Sequence, residues 1–449
     1  PGASFKDNKI KEEITAGLKK ESMKPVFLTD QEVEEYYLGF SNQTLWPAYH
    51  YFVQYIQYNE KHWKAYQKVN RKFARVISEN IEPGDIVWLH DYQLLLVAQM
   101  LREDHPDITI GFFQHIPFPS YEVFRMIPWR RELLRGMLGA DFLGFHTYDD
   151  MRHFLSSVHR LVGYNYNRNE IQMEDRLVVV DSLPMGIDYD KFADNVTTEA
   201  TEERVKRYSE SLGKQRLILS MDRLDYSKGI PRRLKAFELF LEDNPDYHEK
   251  VSLLLIVVPS RDEVPSYQQL KENVDELVGK INSKYGRIAW SPIHYFYRSY
   301  PFDALSAFYR MCDVAMITPM RDGMNLVCKE YIASRHEKDG VLILSEMAGS
   351  AKELSDALLV NPNDIPGMAK TLKRALDMPK DEQKRHIEVM QESVKKYNIF
   401  SWVELFISNL ERVKQKQRLL ATHLLTENES TELTDTYKKS EKRLLFLDY

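Results

Sequence analysis

The sequence predicts an α/β protein built from two doubly wound parallel sheets that face each other across a cleft. A chain of 449 residues with 43% hydrophobic residues is long enough to form two cores. Apolar runs of strand length alternate with longer helical patterns, and the runs are apolar on both faces, as in parallel sheets covered by helices. These runs are DIVWLHD (85–91), ITIGFFQHI (108–116), DFLGFHT (141–147), RLVVVDSLPMG (176–186), RLILSMDRLD (216–225), VSLLLIVVPS (251–260), VAMITPM (314–320) and GVLILSEMAG (340–349).

The runs fall into two series, with four ending by position 186 and four beginning at position 216 or later. The segment 187–200 between them reads IDYDKFADNVTTEA and lacks a strand pattern. We therefore place a boundary there and expect domains over 1–190 and 191–400. Ligands of doubly wound sheets bind beyond the carboxyl ends of the strands, so the cleft between two facing sheets is the expected site.

The two ends of the chain carry different patterns. The opening residues 1–24 are polar and helical, with no strand before them. An aromatic and apolar stripe from Phe400 to Leu410 predicts that 401–420 is a helix packed back toward the first domain. Residues 421–449 read as a polar linker that ends in RLLFLDY, a buried-strand pattern that predicts the start of a further domain.

Composition excludes several classes of function. The formal charge of -6 is small for this length and indicates no attraction to nucleic acid or an anionic membrane. The two cysteines, Cys312 and Cys328, fit neither a disulfide framework nor a cysteine-rich metal site. No apolar run approaches the roughly 20 residues that span a bilayer, and the opening lacks a secretory pattern. We expect a soluble, cytoplasmic protein.

The strongest cluster of candidate residues is SMDRLDYSKG (220–229), which follows a predicted strand and precedes a helix. Arg223 and Lys228 lie on this loop, where two cations beside a helix N-terminus would neutralise a diphosphate and stabilise a leaving nucleotide. The alternative is a surface ion pair with Asp222 or Asp225.

A second cluster is TPMRDGMNLVCKEY (318–331). A turn at Asp322 and Gly323 leads into a helix from about Asn325, whose free N–H groups suit a phosphate or sugar hydroxyls. Glu330 lies about one and a half turns into that helix, where its carboxylate would accept the hydroxyls of a ribose. The alternatives are an ordinary turn and a solvated helix residue.

The first half offers Asp91 and His115, which end adjacent predicted strands and would bind sugar hydroxyls in the cleft. Residues of these types also serve as helix caps or structural hydrogen-bond partners. We interpret Asp85, His90 and His146 in this structural way. A further candidate is a third loop cation, Arg261. An aromatic wall for a sugar ring could be formed by Tyr36, Tyr37 and Trp46, with core packing as the alternative.

The order of these motifs resembles the trehalose-6-phosphate synthases, retaining glycosyltransferases of family 20 with the GT-B fold of two Rossmann-like domains. The resemblance runs from about Pro25 to Phe406. It is carried by YYLGFSNQTLWPAYHY, WLHDYQL, FFQHIPFPS, GFHTYDD, LPMGID, DRLDYSKG, VVPSR and TPMRDGMNLVCKEYIA.

The resemblance implies a role for each matching residue. Residues 1–190 would bind the acceptor, glucose 6-phosphate, and residues 191–400 the donor, UDP-glucose. The implied catalytic residues are Arg223, Lys228, His115 and Asp322. The implied donor-binding residues are Arg223, Lys228, Tyr300, Asp322, Gly323, Met324, Asn325, Leu326, Val327 and Glu330. The implied acceptor-binding residues are Tyr37, Trp46, Asp91 and Arg261.

No metal or other cofactor is expected, because Arg223 and Lys228 supply positive charge and no Asp-x-Asp motif ends a strand. The family's N-terminal strand, with its phosphate-binding arginine and a following glycine loop, has no counterpart here. At the other end, LFLDY resembles the first strand of a phosphatase domain with Asp448 as its nucleophile, which implies a synthase fused to a phosphatase after Tyr449.

Two further functions stay open beside glucosyl transfer from UDP-glucose to glucose 6-phosphate. One is a related GT-B transferase with another acceptor. The other is a non-catalytic regulatory or scaffold subunit of a trehalose-synthesis complex. The sequence leaves the choice between UDP- and GDP-glucose open, and a homo-oligomer is compatible with it.

Overall fold

The computed structural model describes residue 5 and residues 7–173, 176–213, 215–261, 263–421 and 427–440. Within them the strands form two six-stranded sheets. The strands are β1 (Ile86–His90), β2 (Thr109–Gln114), β3 (Phe142–Phe145), β4 (Tyr166–Asn167), β5 (Glu170–Gln172), β6 (Leu177–Ser182), β7 (Arg216–Arg223), β8 (Val251–Val258), β9 (Ile293–Tyr297), β10 (Val314–Ile317), β11 (Val341–Ser345) and β12 (Leu358–Val360).

The helices cover both sheets and connect their strands. They are α1 (Asn8–Lys20), α2 (Asp30–Glu32), α3 (Trp46–Tyr49), α4 (Glu60–Ser78), α5 (Val97–Asp104), α6 (Tyr121–Phe124), α7 (Arg130–Met137), α8 (Tyr148–Val162), α9 (Tyr189–Asn195), α10 (Glu199–Leu212), α11 (Ile230–Asp243), α12 (Pro265–Tyr285), α13 (Phe302–Met311), α14 (Leu326–Ala333), α15 (Ile365–Asp377), α16 (Lys380–Lys396), α17 (Ile399–Ala421) and α18 (Glu427–Lys439). A π-helix (Val33–Leu45) joins α2 to α3.

The first sheet has the order β1-β2-β3-β6-β5-β4, with β1, β2, β3 and β6 parallel and the β4–β5 hairpin antiparallel at one edge. The second sheet is parallel throughout, in the order β12-β11-β10-β7-β8-β9. Its strand order reverses between β7 and β10. That reversal is the point at which doubly wound sheets bind ligands, so the loops after β7 and β10 are placed for a site.

Each of the eight predicted runs forms a strand, and the two-sheet α/β fold is confirmed. Four further strands were not predicted. The β4–β5 hairpin is short and partly polar, β9 (IHYFY) is mostly only half-buried, and β12 has three residues. None of these offers the continuous apolar pattern of a central parallel strand.

The helix α17 packs on the first sheet although it follows the second in sequence. Trp402 Nε1 donates to the carbonyl oxygen of Leu183 at 3.2 Å, and the Phe406 ring stacks on Trp88 with centroids 4.3 Å apart. The predicted stripe therefore faces the first sheet. Whether 1–190 and 191–400 fold as separate domains stays a prediction, and the predicted strand with Asp448 lies outside the described residues.

Candidate active site

The two halves meet where the loop between β10 and α14 touches the end of β2. A Cβ atom added at Gly323 would lie 2.3 Å from the carbonyl oxygen of His115, so only glycine permits this approach. Nearby, the guanidinium carbon of Arg321 lies 4.2 Å from the centre of the Tyr51 ring. Candidate residues of the two halves, Gly323 and His115, thus lie against each other.

Arg223 and Lys228 stand at the strand-order reversal of the second sheet. Arg223 is the last residue of β7 and is exposed, and Lys228 ends a 3₁₀ turn, Tyr226–Lys228, just before α11. Gly229, at φ +69°, follows this turn and packs closely against Thr318. A Cβ atom added at Gly229 would lie 2.5 Å from the carbonyl oxygen of Thr318, so the position requires glycine. Both cations therefore project from a fixed loop.

The ion pairs of this loop differ from the surface pairs considered in the sequence analysis. Asp222 pairs with Arg233 at 2.7 Å, and Asp225 pairs with Arg261 at 3.2 Å. Among the described residues Arg223 makes no ion pair. Its charge stays available to a ligand, and the alternative of a pair with Asp222 or Asp225 is wrong.

Lys228 reaches across to the second loop, where its Nζ lies 2.5 Å from Asp322 Oδ2. Burial alone would raise the pKa of Asp322, but the Lys228 ammonium and the Asn325 amide hold it below the ordinary value. The carboxylate is thus ionised and neutralised by Lys228. An ammonium has three N–H donors, so Lys228 retains donors for a phosphate.

The start of α14 is capped by Asn325. Asn325, at φ +69°, caps the helix by accepting from the Cys328 N–H at 3.3 Å and donates to Asp322 Oδ2 at 3.0 Å. The N–H groups of Leu326 and Val327 begin the helix and have no intrahelical acceptor. Gly323 and Met324 bring the chain into this turn between the two halves.

Glu330 is held on α14 by a buried tyrosine of α13. Tyr309 is fully buried, and its hydroxyl donates to Glu330 Oε2 at 2.5 Å. Burial raises the pKa of Glu330, and the hydrogen bond from Tyr309 opposes this. Glu330 is therefore held in place by Tyr309 and partly buried, and the alternative of a solvated helix residue is wrong. Tyr300 lies just before α13, its hydroxyl contacted by Arg298 at 2.8 Å.

His115 directly follows β2 and forms a hydrogen-bonded pair with His90, the last residue of β1. His90 Nδ1 and His115 Nε2 are 2.9 Å apart. Burial, and secondarily the nearby His90, lower the pKa of His115 to about 4, and burial also lowers that of His90. Both rings are neutral at pH 7, so one donates and the other accepts. His115 Nδ1 is left for a ligand.

Asp91 follows β1 in a strained conformation, φ +72° and ψ 171°, that non-glycine residues rarely adopt. Its Oδ1 accepts from the His115 N–H at 3.2 Å. Burial raises the pKa of this carboxyl to about 6, although main-chain N–H groups and Arg223 favour the ionised form. Backbone strain and an ill-solvated carboxylate at one residue are typical of a functional site.

Trp46 and Arg261, two further candidate residues, lie against each other. The Arg261 guanidinium carbon lies 3.9 Å from the centre of the Trp46 ring, and that of Arg223 lies 5.9 Å from the same ring. Trp46 begins α3, and Tyr37 lies half-buried in the π-helix before it. Tyr36 instead belongs to the core, where its hydroxyl bonds the Gln93 carbonyl at 3.1 Å.

The Glycosyltransferase family 20 model matches residues 1–412 of the chain. The chain belongs to glycosyltransferase family 20. The expected GT-B fold is confirmed as well, since solved structures of this family superpose on both halves.

Three similar proteins show what the family contains. A bifunctional trehalose-6-phosphate synthase/phosphatase of Thermoproteus tenax is 44% identical over 431 residues, 95% of this chain and 59% of that protein. The chain thus spans less than two thirds of that relative's length. A UDP-forming α,α-trehalose-phosphate synthase of Burkholderia xenovorans, solved in complex with glucose-6-phosphate, is 36% identical with a TM-score of 0.83, covering 86% of this chain and 87% of that one. The N-terminal domain of Candida albicans trehalose-6-phosphate phosphatase is 33% identical with a TM-score of 0.85, covering 92% and 88%.

Several cleft residues of this family 20 chain were missed from sequence alone. Arg321 lies inside a recognised motif but is distinguished only by its contact with Tyr51 across the cleft. Tyr309 is indistinguishable in sequence from a core residue of α13. His50, stacked on Trp46 with centroids 4.1 Å apart, is likewise visible only in three dimensions.

The described residues lack two features, a metal-binding cluster and a membrane-spanning helix. They contain no group of three or more His, Cys, Asp or Glu side chains arranged to hold a metal ion. In the same part of the chain no helix has the length and apolar character needed to cross a membrane.

Proposed function

We propose that this chain transfers glucose from UDP-glucose to glucose 6-phosphate with retention of configuration, giving trehalose 6-phosphate and UDP. The observation that carries the proposal is the pair of arginines on one ring: Arg223 and Arg261 both approach Trp46, at 5.9 and 3.9 Å. Such an arrangement suits two phosphate-bearing ligands held side by side, one a diphosphate donor and the other a sugar phosphate.

The donor would lie along the loops after β7 and β10. Arg223 and Lys228 would neutralise its diphosphate, the first turn of α14 would donate N–H groups, and Glu330 would accept the ribose hydroxyls. A relative with this fold is described as UDP-forming, which supports UDP as the leaving group.

The reaction would break the bond between the glucose anomeric carbon and the UDP oxygen and form one to the anomeric oxygen of the acceptor. The proton of the acceptor hydroxyl would pass to the leaving phosphate oxygen on the same face. Asp322 is held by Lys228 rather than free to attack, so the protein's contribution is positioning and charge stabilisation of the departing UDP.

We further propose that the reaction needs no metal ion and takes place in the cytoplasm. Arg223 and Lys228 would supply the positive charge that a divalent cation provides elsewhere. Transfer should then continue undiminished in excess EDTA. Loss of activity in EDTA that magnesium restores would contradict this part of the proposal.

The test is to incubate the purified chain with UDP-glucose and measure UDP release and the sugar product. UDP release that requires glucose 6-phosphate, with trehalose 6-phosphate as product, is expected. A faster reaction with a different sugar acceptor would favour a related transferase instead.

A second candidate, a non-catalytic subunit, is favoured by the similarity to the N-terminal domain of the Candida albicans phosphatase, with a TM-score of 0.85. Calorimetric titration separates the two. Binding of UDP and glucose 6-phosphate without any product would support the regulatory role and overturn the catalytic one.

A further inference from the structure

The guanidinium of Arg261 is held by three hydroxyl and carboxyl groups. Its Nη1 donates to Asp225 Oδ2 at 3.2 Å and to the Tyr267 hydroxyl. The Tyr267 hydroxyl in turn donates to Asp225 Oδ2 at 2.9 Å, which closes a three-membered ring of hydrogen bonds. Arg261 Nη2 donates to the Tyr92 hydroxyl of the opposite half at 3.2 Å.

This network is buried and conformationally defined. The side chains of Arg261 and Asp225 are 5% and 1% exposed, and Tyr267 is fully buried. Burial opposes ionisation of both partners, yet the pKa of Asp225 is lowered by Arg261 and that of Arg261 is raised by its neighbours, so both stay charged. The backbone of Arg261 has φ +55°, which a non-glycine residue adopts only when its surroundings enforce it.

Two buried donors next to this network have no partner among the described residues: Arg261 Nε and Trp46 Nε1. The two groups stack on each other at 3.9 Å. Buried N–H groups are nearly always satisfied, so donors without a protein partner in a cleft indicate the place of a ligand. An arginine whose Nη1 is occupied and whose Nε is free presents a defined edge to an anion.

We propose that Asp225 and Tyr267 are positioning residues that hold Arg261 with its free edge toward the acceptor phosphate, and that they thereby set the preference for a phosphorylated over an unphosphorylated sugar. This rests on the proposed function. Without the two partners the long arginine side chain gains rotamers, and ordering it again weakens phosphate binding. Asp225 and Tyr267 both contact the guanidinium of Arg261, so their replacement is expected to act on the phosphate through that group.

The test compares Tyr267→Phe and Asp225→Asn with the parent, using glucose 6-phosphate and glucose as acceptors. Loosening the Arg261 guanidinium in either variant is expected to raise KM for glucose 6-phosphate about 10-fold. KM for UDP-glucose and kcat/KM for glucose should stay unchanged. Tyr285→Phe is the control, because Tyr285 is a buried tyrosine at the far end of the same helix, α12.

Equal losses with both acceptors in the two variants would show a merely structural role and overturn the proposal, as would an unchanged preference for the phosphate. If the parent releases no UDP, the proposed function fails, and the positioning role is then read from binding. Calorimetry should show that Tyr267→Phe lowers the affinity for glucose 6-phosphate about 10-fold and leaves the affinity for UDP unchanged. A parent that binds the two acceptors equally would overturn the positioning role as well.

Discussion

Replacing Asp91 by asparagine should stabilise the fold at neutral pH while it weakens acceptor binding at the proposed site. Burial raises the pKa of Asp91 from 3.8 to about 6. A pKa difference of roughly two units means that ionisation of this carboxyl lowers the free energy of unfolding by about 3 kcal/mol. Asparagine removes the charge and tolerates the positive φ at this position better than most residues.

The sign of the pH dependence follows from the direction of the shift. A raised pKa in the folded state means that the protonated form is favoured by folding, so the Asp91 contribution is fully present below the unfolded value near 4. It is lost as the pH rises through about 6. The stability gained by Asp91→Asn should therefore be at most about 3 kcal/mol at pH 7 and near zero at pH 4.

Urea unfolding of the parent and of Asp91→Asn at several values between pH 4 and pH 7 measures this difference. Asp85→Asn, an exposed aspartate just before β1, is the control and should show no such trend. KM for glucose 6-phosphate should rise in Asp91→Asn at every pH. A stability difference that is the same at pH 4 and pH 7, or a loss of stability at pH 7, would refute the reasoning.

The other predictions concern contacts that hold the site in place. Tyr309→Phe should lower the affinity for UDP about 10-fold by releasing Glu330. A 2′,3′-dideoxy analogue of UDP should bind the parent and the variant equally well. An equal loss of affinity for the analogue would exclude a role through the ribose. His90→Asn should lower kcat with UDP-glucose about 10-fold by freeing the His115 ring, and unchanged kinetics would show that the pair is only structural. Trp402→Ala should destabilise the protein by about 3–5 kcal/mol through the cavity it leaves, seen as a lower urea midpoint, and a loss below 1 kcal/mol would mean that α17 contributes little.

The central strands were predictable because their signal is local. A strand such as β8, VSLLLIVV, is apolar on both faces apart from Ser252, and neither a surface strand nor a loop has that pattern. The placement of Arg223 and Lys228 on a loop followed from the strand before them and the helix after them. Short or half-buried strands such as β9 lack this pattern, since their neighbours rather than their own residues determine their pairing.

The partners of the cleft residues were not predictable, because they come from distant parts of the chain. Lys228 pairs with Asp322, and Arg261 contacts Tyr92 of the other half. In the sequence, the aspartates close to Arg223 and Lys228 are equally plausible partners for these cations. One of these aspartates, Asp225, instead pairs with Arg261. The π-helix was missed too, as its register depends on how the first half packs rather than on local propensity.

The most direct test of the account is a calorimetric titration of UDP into the parent chain in EDTA. Arg223→Ala removes a cation that makes no ion pair within the described part of the chain, and Lys235→Ala removes an exposed lysine on α11 as a matched change of charge. The parent is expected to bind UDP without metal, and Lys235→Ala is expected to bind it equally well. Arg223→Ala should lose about 2 kcal/mol of binding free energy, or roughly 30-fold in affinity. Equal affinity in all three proteins, or binding only when magnesium is added, would contradict the claim that this cleft grips a diphosphate with its own cations.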